Sequence, residues 1–83
     1  MDTIFNNTNN PLLTKSFNFA VKIVKLCQLL TGERNFIIAN QLLRCGTSIG
    51  ANIREAQAAE SRPDFIHKLK ISAKEIEETI YWL

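Results

Sequence analysis

An all-α fold, an antiparallel bundle of three helices joined by short turns, is what this sequence predicts. Three observations lead there. Apolar residues recur at steps of three and four in three separate stretches. Two of the stretches open on a capping residue with a proline close behind, Asn10-Pro11 and Ser61-Arg62-Pro63. No run alternates apolar and polar residues as a half-buried strand would.

The elements follow in order. Met1–Asn10 is polar and Asn-rich and reads as a flexible leader. The first helix is expected over residues 11–30, with Leu13, Phe17, Ala20, Val24 and Cys27 as its apolar stripe. Phe19, Ile23, Leu26 and Leu30 widen that stripe, which implies contact from more than one side. Thr31-Gly32 is expected to end it, glycine being suited to the left-handed residue after a helix. The second helix is expected over 33–59, with the stripe Ile38, Leu42, Cys45, Ile49, Ile53 and Ala56. Gly46 and Gly50 lie inside it, each costing about 1 kcal/mol relative to alanine. Close approach of a neighbouring helix explains them, and so does a kink between them. The third helix is expected over 62–83, with Ile66, Leu69, Ala73, Ile76, Ile80 and Leu83 in line. It ends on Ile80-Tyr81-Trp82-Leu83 without a stop signal, and Glu75, Glu77 and Glu78 crowd turns where the helix dipole favours cations. The expectation is a helix cut short, against which a further helix or a partner packs.

Composition bounds the function. The chain has 83 residues, 46% hydrophobic and 22% charged, with a formal net charge of +2. That is one globular domain, 11–83 after the leader, and not a strongly basic nucleic-acid binder. The positive excess sits in the first helix, where Lys15, Lys22 and Lys25 share a face; the other two segments are each neutral. Cys27 and Cys45 are too few and too far apart for a disulfide framework or a zinc site and read as small buried hydrophobes. The start of the chain lacks the basic and apolar regions of a secretory signal. No apolar run approaches the roughly 20 residues that span a bilayer. A soluble, cytoplasmic protein is expected, with no membrane partner.

Gln41-Leu42-Leu43-Arg44-Cys45-Gly46-Thr47-Ser48-Ile49-Gly50-Ala51-Asn52-Ile53-Arg54-Glu55-Ala56 is a distinctive run. With Lys15-Ser16-Phe17, Asp64-Phe65-Ile66-His67-Lys68-Leu69 and the stretch Lys74 to Leu83, it resembles the bacterial four-helix-bundle family encoded in intervening sequences of 23S ribosomal RNA genes. The resemblance covers residues 9–83, and Cys45 stands where the family often has serine. It implies an up-down four-helix-bundle fold, of which three helices are present here and the fourth is lacking. It also implies a non-enzymatic homo-oligomer, with pentamers among its relatives. A related branch serves diversity-generating retroelements beside a reverse transcriptase and RNA.

Candidate residues are weighed on that basis. Gly46-Thr47-Ser48-Ile49-Gly50 lacks the lysine and the preceding strand of a phosphate loop. Arg44, Asn52, Glu55, Lys74, Glu75 and Glu78 read as a polar network fixing the register of the second and third helices. Acid–base catalysis by Glu55 with Glu75 or Glu78 would need a pocket and a nucleophile or metal as well. His67 with Asp64 supplies too few ligands for a metal. No cofactor, metal or small-molecule substrate is expected. Tyr81, Trp82 and Leu83 read as core or interface anchors. Lys15, Lys22, Lys25, Arg54, Arg62, Lys68 and Lys70 are the nucleic-acid candidates, and a pentameric ring would repeat them in every copy. The leading expectation is therefore an oligomeric scaffold associating with RNA or a nucleic-acid enzyme such as a reverse transcriptase. The alternative is a protein–protein module whose apolar groove accepts a partner helix, with no nucleic-acid role.

Overall fold

The computed structural model describes residues 10–83; the expected leader, apart from Asn10, lies outside the described residues. Three helices follow in order: α1 Pro11–Gly32, α2 Phe36–Ala56 and α3 Arg62–Trp82. The described residues contain no strand.

Local chemistry sets the starts. The Asn10 side chain accepts from the backbone N–H groups of Leu12 and Leu13 at 3.2 and 3.4 Å, and Pro11 takes the position where a missing N–H costs nothing. Ser61 Oγ accepts from Asp64 N at 3.2 Å, and Asp64 Oδ2 accepts from Glu60 N at 3.4 Å. The two side chains thus satisfy N–H groups on both sides of the cap.

The ends depart from expectation. Gly32 is not the left-handed residue; Arg34 is, at φ 67°. Arg34 N donates to Thr31 O and Asn35 N to Leu30 O, closing the carbonyls that α1 leaves open. Residues 33–35 are used in that closure, so α2 begins at Phe36 rather than at 33. It ends at Ala56 rather than 59, because Gln57, Ala58 and Ala59 bond back three residues instead of four. α2 runs without interruption through Gly46 and Gly50. Their small size serves close packing: Gly46 lies on Ile23 and Gly50 on Ser16.

Contacts run antiparallel. Residues 16 and 23 of α1 meet 50 and 46 of α2, and residues 49 and 45 of α2 meet 72 and 79 of α3. α1 and α3 both pack on α2, and their backbones make no contact with each other. The described residues therefore form a slab of 43 × 24 × 14 Å with α2 in the middle.

This layering corrects the expected faces. Ile23, Cys27, Ala39 and Leu42 form a buried cluster, with Phe19, Leu26, Leu30 and Trp82 packed against it. Phe17, expected in the α1 stripe, is 66% exposed, and Val24 also faces outward. On α3 the expected stripe of Ile66, Ala73, Ile76, Ile80 and Leu83 is exposed, and Ser72 and Thr79 are buried instead. Small hydroxylated side chains suit that seam because each finds an acceptor: Ser72 Oγ donates to Ile49 O at 2.9 Å and Thr79 Oγ1 to Glu75 O at 2.7 Å.

Candidate functional site

With α1 and α3 held apart by α2, an apolar groove of about 450 Å³ opens between them. Ile49 and Ile53 of α2 make its floor. Leu12 and Phe19 line one wall, and Ile76, Ile80 and Leu83 the other. Lys15 is the one ionisable side chain in the lining. Ser16 and Thr79 also reach it, but their hydroxyls are already bonded to Leu13 O and Glu75 O. Apart from Lys15, the lining is apolar or already hydrogen-bonded within the chain. It can exclude water from an apolar helix.

A polar seam joins α2 and α3. Arg44 bonds Glu78, Glu75 at 3.4 Å and Gln41 at 3.2 Å. The Arg44 guanidinium, and after it the indole N–H of Trp82 at 3.0 Å, hold the Glu78 carboxyl below the usual carboxylate range. Arg44 is raised in turn, chiefly by its bond to Glu78. Two acidic residues that are unfavourable at a helix C-terminus are thus offset by a cation from the neighbouring helix.

The rest of the expected network divides differently. Glu55 does not join Arg44; it pairs with Lys68 at 2.9 Å, which raises the Lys68 ammonium through that hydrogen bond. Lys68, expected as a nucleic-acid contact, is thereby engaged within the fold. The Asn52 amide turns back to Ser48 O at 2.9 Å on its own helix. Lys74 is exposed and takes part in none of the ion pairs among the described residues. Of the expected anchors, Trp82 packs on the core cluster and Leu83 lies on the groove, but Tyr81 is 78% exposed and meets Trp82 edge-on at 5.1 Å.

The basic candidates are spread over the surface. Lys15, Lys22, Lys25, Arg54, Arg62 and Lys70 are all exposed. Arg54 borders a shallow pocket of about 280 Å³ with Leu13, Phe17, Thr47 and Ala51 on the far side of the slab. The described residues hold no group of three or more His, Cys, Asp or Glu fit for a metal ion. His67 is exposed. No described helix is long and apolar enough to cross a membrane. Both thiols are buried; desolvation raises Cys27, whose Sγ lies 3.2 Å from Ala39 O.

Sequence reasoning set Ile76, Ile80 and Leu83 in one apolar stripe of α3 but did not say which residues of α1 and α2 complete a groove with them. The signal was present in the Ser72–Thr79 spacing, which places two small polar residues on one face, as an inter-helix seam requires.

A comparison with curated proteins finds no match. Among solved structures, the chain is similar to a protein of unknown function from the S23 ribosomal protein family of Bacteroides thetaiotaomicron. The two are 56% identical with a TM-score of 0.83, over 86% of this chain and 67% of that one. The family described as 23S rRNA-intervening sequence protein matches residues 8–83, and the chain belongs to that family.

Proposed function

We propose that this protein is a non-enzymatic assembly module that works by accepting an apolar helix in the groove between α1 and α3. The observation behind this reading is the groove wall: Ile76 is 41% exposed, Ile80 61% and Leu83 69%, all on one side of one helix. Burying a side chain of that kind fully is worth about 1.5–3 kcal/mol, so covering several of them supplies real affinity. The groove offers little hydrogen-bonding chemistry, which suits an amphipathic helix better than a small polar ligand. Calorimetric titration with a synthetic leucine-faced amphipathic helix tests it. Saturable binding that Ile80→Asp abolishes is expected. No binding, or binding indifferent to Ile80→Asp, overturns it.

A second reading, association with RNA as an oligomeric scaffold, draws on α1 alone. That helix carries Lys15, Lys22 and Lys25, all exposed, and no acidic residue. Several copies side by side would present a repeated cationic stripe. RNA binding that weakens steeply with salt and is lost in the triple Lys→Gln variant is its expected signature. Absence of binding at low salt sinks it.

A further inference from the structure

We propose that the helix taken up by the groove belongs to a different protein and carries carboxylates along the edge that lies beside α1. The partner rests on the helix-accepting reading above, to which it adds the chemistry of that edge. Lys15, the one ionisable side chain in the lining, is exposed. Lys22, also exposed, lies seven residues on. That spacing turns it only about 20° from Lys15 and sets it about 10 Å further along the same side of α1. Going round α1 from Phe19 in the groove, Lys15 comes at about 40° and Lys22 at about 60°, so both stand on the rim. Neither takes part in an ion pair among the described residues. Pro11–Gly32 holds no acidic residue to answer them.

The opposite rim has the opposite sign. Ile76, Ile80 and Leu83 on that wall are apolar. Glu77, about 60° beyond Ile80 round α3, is exposed and repels a carboxylate brought to that side. Glu75 and Glu78 are turned to Arg44 on the α2 seam. An apolar stripe on the partner therefore supplies affinity, and an acidic edge beside α1 fixes its direction. Turning the helix end for end would carry that edge from the two lysines to Glu77. Carboxylates that match Lys15 and Lys22 stand two turns apart, as residues seven apart on a helix do. No two acidic residues of this chain are seven apart, so a second copy does not supply the edge.

The test uses three synthetic helices that share one leucine face. They differ only at two edge positions seven residues apart, which hold glutamate, glutamine or lysine. Each is titrated calorimetrically into the full chain at low salt. The glutamate helix is expected to bind about three- to tenfold more tightly than the glutamine helix, and the lysine helix more weakly than either. Raising the salt is expected to shrink that spread. In the double variant Lys15→Gln, Lys22→Gln the spread is expected to vanish, with affinity for the glutamine helix unchanged. Both sites are exposed, and circular dichroism checks that the helices are kept. Lys25, about 60° further round α1 and away from the groove, serves as the control, and Lys25→Gln is expected to leave the preference as it is. A preference that survives the double variant, or that Lys25→Gln removes to the same extent, overturns the acidic edge. So does a double variant that loses RNA binding and keeps its preference among the helices, which assigns the lysines to the second reading above. If the three helices bind equally, the edge chemistry is wrong and the helix-accepting reading stands. If none binds, both fall.

Discussion

Gly46 of α2 lies so close to Ile23 of α1 that a Cβ built on it would stand 2.9 Å from both Ile23 Cγ1 and Cγ2. Ile23 is β-branched and 3% exposed, so those atoms have little room to yield. Alanine at position 46 gains about 1 kcal/mol of helix propensity but forces an overpacked contact costing about 1–3 kcal/mol. Gly46→Ala is therefore expected to lower the denaturation midpoint. Gly50→Ala, whose Cβ would meet Ser16 at 3.3–3.4 Å, is expected to fall above it in the same urea series. A Gly46→Ala variant more stable than the wild type would contradict the close packing.

Arg34 holds a left-handed backbone at φ 67°, a conformation that costs a non-glycine residue roughly 1–2 kcal/mol. Arg34→Gly is expected to stabilise the chain by about 1 kcal/mol, read as a higher urea midpoint with unchanged slope. Gly32→Ala, in helical conformation with open space around the added Cβ, is expected to stabilise as well.

Leu42 is 1% exposed and Ile37, five residues earlier on the same helix, is 75% exposed. Leu42→Ala is expected to cost about 2–5 kcal/mol, through lost burial and the cavity left behind. Ile37→Ala is expected to stay within about 0.5 kcal/mol of the wild type. Equal losses at the two positions would contradict the described face of α2.

Glu78 ionises below the usual carboxylate range because it accepts from Arg44 and then from Trp82. A carboxyl depressed in the folded state contributes stability that is whole above its unfolded pKa, about 4.3 for glutamate. That contribution is lost as pH falls through the lower, folded value. Thermal melts of the wild type should therefore fall in acid more steeply than those of Glu78→Gln, the two converging below the folded value. Parallel curves would show that the Arg44–Glu78 pair does not contribute.

Cys45 is fully buried and Cys27 is 6% exposed, with its thiol raised by desolvation. Thiol reagents act on the exposed thiolate, so neither residue should react at neutral pH until the chain is unfolded. Rapid labelling under native conditions, followed by mass spectrometry, would overturn that burial.

The elements were legible because their signals are local. Asn10-Pro11 and Ser61-Arg62-Pro63 each satisfy or remove backbone N–H groups within a few residues, and no distant contact alters that. The stop of α1 was misplaced because Arg34, without glycine's freedom, takes the left-handed position two residues beyond Gly32. The acidic residues near the α3 terminus signalled a missing cation, but Arg44 and Lys68 each had several carboxylates within sequence reach, and the register of α2 on α3 chose between them.

By itself, then, the sequence determined three helices, their approximate bounds, their antiparallel order and the family, since these depend on caps, periodicity and residue identity along the chain. The inner face of α2 was legible as well, since Leu42, Cys45, Ile49, Ile53 and Ala56 of its expected stripe are buried; tertiary structure decided which side of α1 and of α3 is inside. A wide apolar stripe such as that of α1 permits several rotations about the helix axis with similar burial. Close contact at Gly46 and Gly50, and the hydroxyl seam at Ser72 and Thr79, select one of them. That selection turns Ile76 and Ile80 outward, and so creates the surface through which the protein is proposed to act.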